Sequence, residues 1–291
     1  MRRISNTWLE AAAIAALLFC WSGIAAAQGT PGGPGSQSPP PAQSGDKPKT
    51  SDAPALTLDA PAPVNAEEDA AYKAFQDAPA TDLNKRIEAG EAFNQKYPQS
   101  RYKPLVYATL TMVYLQSGQV QKMLETGDKA VELTPNDVAT LAILGQTIPR
   151  ALNATKEDPA KQLVKAETYC KRAIELTPTL PKPANLTDDA FDRAKNQTLA
   201  AAHSGLGLVY VRRGKYAEAI PELELSVKLD PAPDPVNYYL LGTANEKASH
   251  FDDSIVAFNK CAAMQSSLQV TCKNGAEEAK KLSATQLSAP K

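Results

Sequence analysis

The sequence predicts an all-α fold built as a row of antiparallel helix pairs, and three observations predict it. Apolar residues recur at helical spacing, as Leu206, Val209 and Tyr210 do, followed by Ile220, Leu223 and Val227. Strand-like alternation is absent. A set of small, bulky and proline residues recurs at a period of about 34 residues, the mark of stacked units that cannot bury their apolar faces singly.

The clearest unit spans 200–233. Leu206, Gly207 and Tyr210 fall on its first helix, and Ala219, Leu223 and Pro231 follow on and after its second. Small residues let two antiparallel helices approach, bulky ones fill the space between turns, and proline stops the second helix. This spacing closely resembles the tetratricopeptide repeat. The resemblance covers most of 66–268 and is to an exported bacterial type of array. It implies a right-handed superhelical solenoid of helix hairpins, four clear and one degenerate, closed by a C-terminal capping helix.

In chain order, residues 1–27 read as a secretory signal peptide. Arg2 and Arg3 precede an apolar stretch over 11–27, which ends in Ala25-Ala26-Ala27 before Gln28. Glu10 beside the apolar core leaves open an uncleaved leader acting as a membrane anchor, although the stretch is short for a span of about 20 residues. Phe19 before Cys20 argues against lipidation. Residues 28–64, rich in Pro, Gly and Ser, are expected to form a disordered linker, because they bury too little surface to offset chain entropy.

The helical repeat domain is assigned to 65–286. Its degenerate unit, 66–99, places Tyr72, Phe75, Ile87 and Phe93 around a turn at Asp77-Ala78-Pro79. Unit 104–137 holds Tyr107, Leu110, Tyr114, Ala130 and Pro135, with Thr111 in the place of glycine and Gly127 in that of a bulky residue. Unit 138–180 supplies Leu141, Leu144, Gly145, Ala166, Ala173 and Pro178, with its hairpin connection lengthened by the polar run 153–159. Such an insertion is tolerated because loop-closure cost grows slowly with length. Pro149 should stop or kink the first helix of this unit near Ile148. The segment 178–186 then crosses irregularly to a long helix starting at Thr187, with Asp188 and Asp189 in its first turn. Unit 235–268 carries Tyr238, Leu241, Gly242, Phe251, Ser254, Phe258 and Cys261, set one residue out of frame by an extra turn before Pro235. A polar capping helix is expected over 275–285, and a short tail over 287–291.

Charge and reactive residues exclude several function classes. The chain has 31 basic and 32 acidic residues, and removal of Arg2, Arg3 and Glu10 with the leader leaves 29 and 31. That balance offers no electrostatic footprint for nucleic acid. The two histidines are far apart: His203 stands at an interhelix packing place and His250 in a turn. Without a His-x-x-x-His pair or a Cys-x-x-Cys, neither a metal nor a cofactor is expected. The acidic pairs Glu67-Glu68, Asp188-Asp189 and Asp252-Asp253 open helices, where the dipole favours them. Asn153, Asn185 and Asn196 begin Asn-x-Thr triplets, read as turn and capping residues unless the host glycosylates them. Cys170 occupies a packing place and reads as a buried small hydrophobe. Cys261 and Cys272 are a possible disulfide, which in an oxidising compartment would pin the cap to the array.

What remains is a binding surface, and no enzyme is expected. The resemblance implies that the first helix of each hairpin lines a concave groove for a peptide or another protein. The matching residues are Met112, Leu115 and Gln116, then Gln146 and Arg150, then Leu208 and Arg212, and finally Tyr239, Thr243, Glu246 and Lys247. Met112, Leu115 and Leu208 fit equally well as core between neighbouring helices. The Lys, Asn and Arg residues with which some family members clamp a C-terminal carboxylate are replaced here by Ala108, Met112, Ile143, Ala201 and Gly205. The expected function is an exported adaptor or scaffold that binds another protein in the cell envelope. Alternatives are a membrane-tethered assembly accessory, if the leader is retained, or a cell-wall hydrolase with dispersed carboxylates.

Overall fold

A computed structural model describes residues 65–288; residues 1–64, on which the expected leader and linker fall, and 289–291 lie outside the described residues. Eleven α-helices follow one another among the described residues, without a strand. They form five hairpins and a final helix. The pairs are α1 (Ala66–Asp77) with α2 (Leu83–Lys96), α3 (Lys103–Gln116) with α4 (Val120–Leu133), and α5 (Val138–Thr147) with α6 (Pro159–Leu176). They continue with α7 (Asp188–Arg212) and α8 (Tyr216–Leu229), α9 (Pro235–Lys247) and α10 (Phe251–Ala263), and end at α11 (Gln269–Ser288).

Local chemistry sets the boundaries. Asn65, Asp158, Thr187 and Asp234 accept hydrogen bonds from the first free amides of α1, α6, α7 and α9, and Pro159 and Pro235 stand in first turns, where a missing donor costs nothing. α5 ends at Thr147 and passes into a 3-10 turn, Ile148–Arg150, as Pro149 requires. Three hairpins turn alike. Gly118, Gly214 and Ser249 adopt φ of 72°, 71° and 63°, and the next amide in each case donates to the carbonyl of Tyr114, Tyr210 or Asn245. This satisfies carbonyls that the helix end would leave free.

The repeat spacing works by close approach. A Cβ on Gly207 would stand 2.6 Å from Leu223, and one on Gly242 2.7 Å from Phe258, so each second-helix bulky residue lies directly over a first-helix glycine. Gly127, anomalous by the pattern, is compensated by the next unit: a Cβ there would meet Leu144 at 2.6 Å. The seam between α5 and α7 is closed by backbone. At Gly205 a Cβ would come within 2.5 Å of the Gly145 carbonyl oxygen, so backbone nearly touches backbone. Thr111, also off pattern, turns its hydroxyl to the Tyr107 carbonyl at 2.8 Å and is fully buried.

Apolar clusters follow the array. Phe75, Phe93, Leu110, Tyr114, Met123 and Leu144 fill its N-terminal half, Leu208, Leu223, Leu240 and Leu241 the C-terminal half, and Phe258, Cys261, Cys272 and Ala276 seat the last helix. At the N-terminal end Tyr72 stacks on Tyr102 with centroids 4.0 Å apart, and Arg101 pairs with Asp69 at 2.6 Å. At the C-terminal end α11 begins at Gln269 rather than 275. Gly275 lies inside this helix, against the Phe258 ring, which explains why a glycine there marks a contact and not a start.

Candidate protein-binding face

The structure sorts the expected groove residues by what their side chains touch. Met112 and Leu208 are each 8% exposed, and Leu208 belongs to the cluster with Leu223 and Leu240. Their apolar area is occupied by neighbouring helices. Leu115 is half-buried and packs on the N-terminal core. Gln116, Arg212 and Lys247 are exposed, while Gln146, Tyr239, Thr243 and Glu246 are half-buried. The Tyr239 ring lies 6.0 Å from that of Phe258, which fixes it against the last hairpin. Thr243 Oγ1 donates to the Tyr239 carbonyl at 3.0 Å. Lys247 donates to Glu246 at 3.0 Å, and this bond holds its ammonium above the usual lysine range. The side chains still turned to solvent are thus concentrated in the last two hairpins.

Arg150, expected along the groove, is held by an ion pair and a hydrogen bond. Its Nη1 donates to Asp234 Oδ2 at 3.0 Å and its Nη2 to Ser204 Oγ at 3.1 Å. Ser204 Oγ donates to Asn237 Oδ1 at 2.7 Å, and Asn237 Nδ2 to Ser226 Oγ at 3.1 Å. Ser204, Ser226 and Asn237 are buried, so each needs such a partner. Only the polarity of these three packing places hints at the relay in the sequence.

The reactive residues are also engaged. Cys261 and Cys272 form a disulfide with Cα atoms 5.9 Å apart, joining α10 to α11. Cys170 is a free, fully buried thiol, and burial, with Glu222 and Glu167 nearby, pushes its ionisation well up; it is not poised as a nucleophile. His203 Nδ1 lies 2.6 Å from Glu222 Oε2, tying α7 to α8. His250 is exposed in the turn before α10. At the start of α5, Asp137 accepts a short hydrogen bond from Thr140, yet burial pushes its carboxyl up to about 6. Among the described residues no group of three or more His, Cys, Asp or Glu side chains is placed to hold a metal ion, and no helix is long and apolar enough to cross a membrane.

Residues 200–233, which form the C-terminal half of α7 and all of α8, match the family model of the tetratricopeptide repeat. Residues 200–233 thus carry a tetratricopeptide repeat, set within a row of helix hairpins. Among solved structures the chain is similar to a thermophilic tetratricopeptide protein of Thermus thermophilus, at 18% identity over 74% of this chain and 99% of that one, with a TM-score of 0.44. A double mutant of MamA RS-1 is similar at 15% identity over 77% of this chain and 99% of that one, with a TM-score of 0.48. No curated protein sequence matches the chain.

Proposed function

We propose that this protein is an exported, non-enzymatic scaffold that holds another protein or peptide against the first-helix face of its last two hairpins. The observation that carries this reading is the set of groove residues left to solvent: Arg212 on α7 and Lys247 on α9 are exposed, and Tyr239, Thr243 and Glu246 on α9 are half-buried. An amphipathic tyrosine already fixed by packing is a good anchor, because little rotamer freedom remains to be lost on binding. The tetratricopeptide match at 200–233 supports a protein partner. Export to the cell envelope is supported by the leader-like residues 1–27 and by the Cys261–Cys272 bridge, which suits an oxidising compartment.

In-cell crosslinking with mass spectrometry tests the binding face. Arg212→Ala and Tyr239→Ala should each deplete a crosslinked partner seen with the parent chain, and an unchanged set of partners in both variants rejects this face. Intact mass of the mature chain tests export with leader removal: retention of residues 1–27 rejects cleavage.

A further inference from the structure

We propose that Arg150 and Asp234 form a latch that fixes the angle between successive hairpins from α5 to α9, so that the first-helix face changes shape when the pair breaks. Units of a solenoid ordinarily contact only their neighbours. This ion pair instead spans 84 residues, from the end of α5 to the cap of α9, and steps over the intervening hairpin α7–α8. Its length therefore depends on two successive inter-unit angles at once. A small rotation in either seam separates the charges.

Both ends of the latch come from the places where the chain departs from regular repeat spacing. Pro149 stops α5 and puts Arg150 on a 3-10 turn, and the extra turn before Pro235 puts Asp234 at the N-terminus of α9. Asp234 divides its carboxylate: Oδ1 accepts from the Val236 amide at 2.9 Å and Oδ2 from Arg150. Opening the latch thus leaves the α9 cap intact. Ser204 binds the other arm of the guanidinium, linking the pair to the Asn237–Ser226 relay.

The latch is also releasable. The side chains of Arg150 and Asp234 retain 27% and 17% of their exposure, so water reaches both once they part. Arg150 Nε is buried without a hydrogen-bond partner, which offsets part of what the pair contributes. An ion pair of modest net strength and strict geometry acts more on shape than on stability. Its effect on binding rests on the scaffold reading above; its existence does not.

The test uses the full chain without any partner. Asp234→Asn keeps a cap acceptor and the side-chain shape while removing the charge, and Arg150→Gln removes the other end. Each should raise amide exchange at 148–152 and 234–240 roughly tenfold and enlarge the radius of gyration in solution scattering. The parent chain should move the same way in about 0.5 M salt, and the double variant should fall short of the sum of the two single effects because the coupling is lost once. Unchanged exchange and dimensions in Asp234→Asn, or single-variant effects that simply add, overturn the latch. Either result leaves the crosslinking test of Arg212 and Tyr239 intact.

Discussion

Ser249 stands where the two sister turns carry Gly118 and Gly214, and it adopts the same left-handed backbone with φ of 63°. Glycine takes that conformation without the steric cost a Cβ incurs. Ser249→Gly should therefore stabilise the fold by about 0.5–1 kcal/mol after the entropy of the unfolded glycine is set against it, read as a higher urea midpoint at constant slope. A lower midpoint rejects the idea. Asp137 illustrates the opposite case, a residue whose burial costs free energy. Its carboxyl titrates near about 6 in the fold against an ordinary 3.8, so the folded chain retains a proton that the unfolded chain releases. That contribution favours the fold at low pH and is lost as pH rises through about 6. Asp137→Asn should flatten this part of the stability profile and leave the variant more stable at neutral pH by about 1–2 kcal/mol. A variant-to-parent difference that stays constant from acid to neutral pH rules it out.

At the scale of elements, the last helix is the least secured by periodicity and the most by a covalent bond. α11 rests on α10 through Cys272, Ala276 and the Phe258 ring over Gly275. Its disulfide closes a loop with a sequence separation of 11, which restricts the unfolded chain by about 3 kcal/mol in the entropic account. Replacing both cysteines by alanine should cost about 2–3 kcal/mol and make the 264–268 connection the first site of proteolysis. Equal cleavage of parent and variant at that connection would show that packing alone seats the helix. The pairing itself was legible as a possibility from two cysteines on either side of one turn. The start of α11 was not, because residues 269–274 carry no cap signal and their helix depends on docking against α10.

Across the whole molecule, the seam between α5 and α7 decides whether the array unfolds as one body. Gly205 faces the Gly145 carbonyl, a backbone group that cannot swing aside as a side chain would. Gly205→Val should force the seam apart, cost about 2–4 kcal/mol and split a single unfolding transition into two, monitored by far-UV circular dichroism in urea. A single unshifted transition would mean that α7 can slide without penalty. Hairpin existence was legible because one spacing places Gly207 under Leu223 and Gly242 under Phe258, whatever surrounds them. Groove membership was not: Met112 and Leu208 occupy places that face either a partner or a neighbouring helix, and only the inter-unit angle decides which. That angle buried them both.

The sequence by itself determined the all-helical class, the helix boundaries at Pro149 and Thr187, and the repeat at 200–233, because these follow from contacts and caps within a few turns of chain. Only the tertiary structure decided that Arg150 meets Asp234 across 84 residues, that Leu144 fills the space beside Gly127, and which first-helix residues remain open to solvent. The physical reason is accumulation. Each seam adds a small rotation, and the sum over several hairpins, encoded in no single segment, sets which distant groups meet.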